Sequence, residues 1–192
     1  MGFKDFFSIR RFRTKSGNWN AEYREGQWDY LDKEGMRYRA LAGTIASLGN
    51  DTDILDVGCG PGILLNYLSA YRSYLGMDIS REAIRRAPKR EQASFAVASV
   101  EAFTTDRKFS VIIFNELLYY CDYRSIIPRF AAFLAPGGAV ISSVFVSYPQ
   151  KPETVEGIEC SLNEQFSPVR RSMMKESEKK EWLMLVHRSL TA

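Results

Sequence analysis

The chain has 192 residues, 45% of them hydrophobic and 26% charged. That is the length of one domain with the composition of an ordinary globular protein, and it excludes a disordered or fibrous chain. A net charge of +3 is too mild to predict nucleic-acid binding by itself, and no apolar run approaches the ~20 residues of a transmembrane helix.

Residues 1–15 carry five basic residues against one acidic, with Phe3, Phe6 and Phe7 at helical spacing. They read either as an arm for weak contact with a membrane surface or an anionic partner, or as a loose terminus with solvated charges. They lack the apolar core of a signal peptide, and Phe6 breaks the myristoylation pattern. Trp19, Tyr23, Trp28, Tyr30 and Tyr38 follow, interspersed with charges. Apolar positions at 38, 41, 42, 45 and 48 then predict a helix ending at Gly49.

Ile54-Leu55-Asp56-Val57 reads as a buried strand that breaks into Gly58-Cys59-Gly60-Pro61-Gly62. Ile63 to Leu68 would begin a packed helix, with Pro61 in its first turn. Tyr74–Ile79 is a second strand, Ser80 caps a helix that stops at Pro88, and Ser94–Ala98 is a third strand. Val111–Asn115 is apolar throughout and so a strand buried on both faces. Ile126–Leu134 is expected as a helix with Pro128 in its first turn, and Ala135-Pro136-Gly137-Gly138 as a turn into a fifth strand, 139–144. Residues 147–168, with three prolines, read as irregular. Val169–Lys175 and Trp182–Arg188 are strand-like runs about a charged turn. Alternating strands and helices mean a doubly wound, mostly parallel sheet.

Cys59, Cys121 and Cys160 are odd in number and form no CxxC pair, so no metal site or disulfide framework is indicated and a reducing cytoplasm is expected.

The glycines at 58, 60 and 62, preceded by Asp56, do not have the spacing of the dinucleotide fingerprint, and no Lys-Ser/Thr pair follows as in a P-loop. The motif resembles the acidic-x-Gly-x-Gly-x-Gly signature of class I S-adenosylmethionine-dependent methyltransferases, and the closing hairpin agrees with it. The resemblance implies a Rossmann-like α/β fold. Its seven-stranded sheet would be mostly parallel with an antiparallel C-terminal hairpin. Residues 1–48 would form an arm and helical cap, and residues 49–192 the cofactor-binding core, all one domain.

Ligands of open α/β sheets bind outside the carboxyl ends of the strands. By resemblance, Gly58, Cys59, Gly60 and Gly62 approach the methionine part of S-adenosylmethionine, and Asp56 lies near its ammonium or is a structural carboxylate. Asp78 would accept both ribose hydroxyls, or else form an Asx turn before Ser80, and Ile79 would pack on adenine. Many family members carry Asp where this chain has Ser99. A hydroxyl accepts more weakly, so Ser99, the Val100 amide or Glu101 would read adenine. The Asn115 backbone would lie beside the sulfonium.

Glu116, Tyr119 and Tyr120 follow that strand end and are the candidate catalytic residues, Glu116 as base and the tyrosines to orient the acceptor. His187, the only histidine, falls at the opposite rim if the last strand is antiparallel. Trp28 and Tyr30 are lid candidates, or core aromatics. The Asn/Asp-Pro-Pro-Tyr motif is absent, which argues against methylation of adenine or cytosine amino groups in DNA or RNA. The short insertion before the hairpin, with the aromatic N-terminal segment, favours a small-molecule acceptor, O- or N-methylated, and makes nucleic acid an unexpected partner. A nucleic-acid or protein methyltransferase using the basic arm, and a catalytically silent binding subunit, are the alternatives.

Overall fold

Val111, Ile112, Ile113 and Phe114 are buried on both faces of their strand, and the sheet is built outward from them. The computed structural model describes residues 16–33, 35–147, 150–177 and 180–191. The basic arm at 1–15 lies outside the described residues. The strands are β1 (Asp53–Val57), β2 (Ser73–Asp78), β3 (Ala93–Val97), β4 (Phe109–Asn115), β5 (Leu134–Phe145), β6 (Ser167–Ser177) and β7 (Lys180–Arg188). Their order is β3-β2-β1-β4-β5-β7-β6. The five from β3 to β5 are parallel, whereas β7 runs antiparallel to β5 and β6 antiparallel to β7.

Side chains alternate across a strand, so each face has its own core. Leu55, Val57, Ile112, Phe114 and Val140 pack against α4 (Tyr123–Ala131) and α5 (Pro152–Gln165). Ile54, Val111, Ile113 and Ile141 pack against α2 (Gly35–Ala46) through Leu41 and Ile45. Two further helices, α1 (Ser16–Arg24) and the short α3 (Arg81–Arg85), meet beside the carboxyl rim.

Three expectations are corrected. Residues 152–165 are the helix α5, not irregular structure. Its Pro152 stands at the start, where a missing N–H is harmless, and Val155, Ile158 and Leu162 form its apolar face. The stretch after the glycines is a single 3-10 turn, Ile63–Asn66, with Pro61 in the turn before it. Ile63, Leu64 and Leu65 are all buried, and three consecutive residues cannot share one stripe of an α-helix. Helix α4 begins at Tyr123, so Pro128 lies in its interior. Pro128 faces solvent, where water can take the carbonyl that proline leaves without a donor.

Candidate cofactor and acceptor site

The ends Val57, Asp78, Val97, Asn115 and Phe145 of the five parallel strands share one rim. Because β7 is antiparallel, its first residues arrive at the same rim, with Trp182 opposite Phe145, while His187 sits at the far end opposite Val140. His187 is buried there against Asn163 Oδ1 at 3.0 Å, where the topology argument placed it. At the rim opens a cavity of about 650 Å³, within the size range of small-molecule sites.

One side of the cavity is the glycine loop. The Gly58 and Cys59 amides both donate to the Met77 carbonyl, at 2.8 and 2.9 Å, which folds the loop back over β2. Gly60 has φ +55°, and a Cβ there would lie 2.7 Å from the Tyr23 hydroxyl of α1. Only glycine lets the loop and that helix approach so closely. The Gly60 amide donates to Asp78 Oδ2 at 2.9 Å, and the Ser80 amide donates to Oδ1 at 2.7 Å. Asp78 therefore does form the Asx turn. Each oxygen still has a second lone pair, and Asp78 lines the cavity together with Ile79, Ser99, Val100 and Glu101. Burial pushes its carboxyl up to about 6, against the opposing pull of the Ser80 and Gly60 amides.

Two of the residues expected near the cofactor stand off the cavity wall. Asp56 is buried but not on the cavity wall. It shares the α2 face with Ile54, where the Tyr74 hydroxyl donates to Oδ2 at 2.6 Å, and burial raises its carboxyl to about 7. Gly62 also lies off the wall, turned at φ +72° with its missing Cβ towards the Phe95 ring. Tyr74→Phe should cost about 1–3 kcal/mol of stability, because the Asp56 carboxyl then loses its donor inside the core. Urea unfolding measures this, and an unchanged midpoint would contradict it.

Beyond the glycine loop the wall is set by the end of β4. Asn115 Oδ1 accepts from the Arg37 guanidinium and from the Ser143 hydroxyl, the latter at 2.7 Å. Glu116 is the one non-glycine residue at positive φ (58°) among the described residues, a conformation that costs of order 1–3 kcal/mol and clusters at functional sites. Its carboxylate accepts from the Tyr119 hydroxyl at 2.8 Å and lies 3.3 Å from the Ser143 hydroxyl. Burial pushes the Tyr119 hydroxyl well up, and the neighbouring Glu116 adds to this, so Tyr119 remains a donor. Glu116, Tyr119 and Tyr120 all line the cavity.

Sequence reasoning missed Arg37, which is 2% exposed and lies between the rings of Tyr38 and Trp182, 4.7 and 5.7 Å from their centroids. Its signal was present, since positions 37, 41 and 45 share one helical face. A cation on an otherwise apolar stripe marks a site or a buried network.

The remaining wall is the cap. The Trp28 indole N–H donates to Glu22 at 3.1 Å, and Trp19 meets Trp28 at 5.5 Å and Tyr120 edge-on at 5.2 Å. Asn20 Oδ1 accepts from the Ser80 hydroxyl at 3.0 Å and the Glu82 amide at 3.1 Å. Arg86 reaches back to the Tyr23 carbonyl and, at 2.8 Å, to Asp29. The cap is thus latched to α3, and both lid candidates, Trp28 and Tyr30, face the cavity.

The strand order, the antiparallel closing strand and a glycine loop under a carboxylate-ended β2 define the class I methyltransferase architecture, whose cofactor is S-adenosylmethionine. A family model described as "Methyltransferase domain" matches residues 22–188. The chain belongs to that family.

It is 30% identical over 117 residues to Nodulation protein S of Sinorhizobium fredii, covering 56% of this chain and 54% of that one. It is 32% identical over 126 residues to a trans-aconitate 2-methyltransferase of Methylobacterium nodulans, covering 59% and 48%. The chain thus spans about half the length of the curated relatives it matches. The N-methyltransferase NodS of Bradyrhizobium japonicum WM9, solved with S-adenosyl-L-homocysteine, superposes with a TM-score of 0.71 at 20% identity over 85% of this chain and 91% of that one. At that identity the likeness is one of fold.

Proposed function

We propose that this protein transfers a methyl group from S-adenosylmethionine to a small-molecule acceptor held in the aromatic half of the cavity. One observation carries the reading. The glycine loop and Asp78 share a single cavity with Glu116, Tyr119 and Tyr120, so a donor on the first set would face an acceptor on the second.

Asp78 fits a vicinal diol, its two oxygens on the cavity wall matching the paired hydroxyls. Ile79 and Val100 offer apolar contact to a flat base, with Ser99 and Glu101 as polar readers. Gly58, Cys59 and Gly60 bring backbone close to an amino-acid tail, and Arg37 supplies counter-charge for its carboxylate. When bound, the cofactor supplies an electrophilic methyl group on a sulfonium. The chain's part is to align the acceptor and exclude water, since orientation accounts for much of the rate. Trp19, Tyr23 and Trp28 close the cavity and so restrict the acceptor's size. No helix of the described residues is long and apolar enough to cross a membrane. The trans-aconitate 2-methyltransferase relative, by its name, acts on a small acceptor, which supports the reading.

The test is a labelled-methyl screen against metabolite pools, RNA and protein extract. Label in the small-molecule fraction supports the reading. Label only in RNA or protein, or none despite tight cofactor binding, contradicts it.

The cofactor step should also depend on pH. Below about 6 the Asp78 carboxyl is protonated, and above it the carboxylate accepts more strongly from a diol. Affinity for S-adenosylmethionine should therefore rise, by about tenfold, between pH 5 and 8. Calorimetry across that range checks it, and a flat profile would count against Asp78 as the ribose acceptor.

A further inference from the structure

The aromatic half of the cavity has an arrangement that distinguishes between acceptor chemistries. Tyr119 and Tyr120 pack at 4.6 Å, Tyr120 meets Trp19 at 5.2 Å, Trp19 meets Trp28 at 5.5 Å, and Trp28 meets Tyr30 at 6.0 Å. This run of rings begins at Glu116, through its bond to the Tyr119 hydroxyl. Glu116 is the acid on the cavity wall of that half, whereas Glu22 lies off the wall and is bonded by the Trp28 indole. Aromatic faces attract an alkylammonium through the ring quadrupole, and a carboxylate accepts its N–H bonds with charge assistance. The cations on the same wall are engaged elsewhere. Arg37 lies against Tyr38 and Trp182 and donates to Asn115, while Lys180 pairs with Glu176 at 3.4 Å.

Proton demands point the same way. An alcohol or phenol must lose its proton to a base as it attacks, and any carboxylate is a far weaker base than the alkoxide that such a loss creates. The chain's single histidine is at the opposite rim, and the Tyr119 hydroxyl is held protonated by burial. An amine, by contrast, gives up the proton of its ammonium form before the attack and then attacks through a lone pair with no base needed in that step.

Resting on the methyltransferase reading above, we infer that the acceptor is an amine, with Glu116 as the group that receives its N–H and turns its lone pair towards the methyl carbon. A bound ammonium first gives one proton through Glu116 to water, which frees the nitrogen lone pair. The carbon–nitrogen bond then forms as the carbon–sulfur bond breaks, and that electron pair stays on sulfur. Positive charge passes from the sulfonium to nitrogen. The N–H proton then leaves to Glu116 and from there to water. Ser143 and Tyr119 are positioning residues, because they hold the Glu116 carboxylate.

The experiment begins with calorimetric binding of S-adenosylhomocysteine to the full chain, which tests the cofactor site alone. Failure at this stage refutes the methyltransferase reading rather than the amine. The loaded protein is then titrated with tryptamine, phenethylamine and glucosamine, and with the matched hydroxyl compounds tryptophol, phenethyl alcohol and glucose. At least one amine should bind about tenfold or more tightly than its hydroxyl partner. Glu116→Gln should remove that preference and leave affinity for S-adenosylhomocysteine within about twofold of the parent. In a parallel incubation with labelled S-adenosylmethionine the label should enter amines. Equal binding of the hydroxyl partners, an amine preference that survives Glu116→Gln, or label in hydroxyl or carboxyl compounds with every amine untouched would each overturn the inference.

Discussion

Asp78→Ala is expected to lower affinity for S-adenosylmethionine by about 1.5–3 kcal/mol, the cost of losing a charged hydrogen-bond acceptor. Its carboxylate also holds the Gly60 and Ser80 amides at 2.9 and 2.7 Å. The same change therefore strips two enclosed N–H groups of their acceptor, and stability should fall as well. Asp78→Asn separates the two roles. Its remaining carbonyl oxygen can still take one amide, so more of the stability returns, while the neutral side chain recovers little of the affinity for a diol. Calorimetry and urea unfolding on both variants give the readout. Unchanged affinity in Asp78→Ala would leave Asp78 as a loop brace only.

Arg37→Ala should be the most damaging change to the fold among those considered, at about 3 kcal/mol, as when one member of a buried polar network is removed. The guanidinium lies between the Tyr38 and Trp182 rings and donates to Asn115. Deleting it empties that space and leaves Asn115 Oδ1 with the Ser143 hydroxyl alone. An apolar residue of similar length fills the gap at less cost, so Arg37→Met should recover most of the stability. Neither variant keeps the positive charge, so both should bind the cofactor more weakly than the parent. A fully stable Arg37→Ala protein, or Arg37→Met with parental affinity, would contradict these assignments.

What could be read from the sequence depended on how local each signal was. The glycine loop, the Ser80 cap and the strand β4 are each written in a few adjacent residues, and each is found in place. Helix α5 was hidden because Pro149, Pro152 and Pro168 read as breakers. Proline at a helix start is as favourable as proline mid-helix is harmful, and only the chain's path tells which applies. The surroundings of Asp56 are not written in its motif. Strand alternation puts it on the face of Ile54, off the cavity wall. Its donor, Tyr74, lies on the next strand and shows only in three dimensions. Arg37, Ser143 and Trp182 come from three distant segments that meet at the rim. Of these only Arg37 left a local trace, as a charge on an apolar helical face.

The most direct test is a crystal structure of the chain with S-adenosylhomocysteine. The adenosyl group should lie across the carboxyl rim, with both ribose hydroxyls within hydrogen-bond distance of Asp78 and the amino-acid tail over Gly58 to Gly60. A ligand bound elsewhere, or a rim filled by the Trp19 and Tyr23 side chains under saturating ligand, would contradict the account.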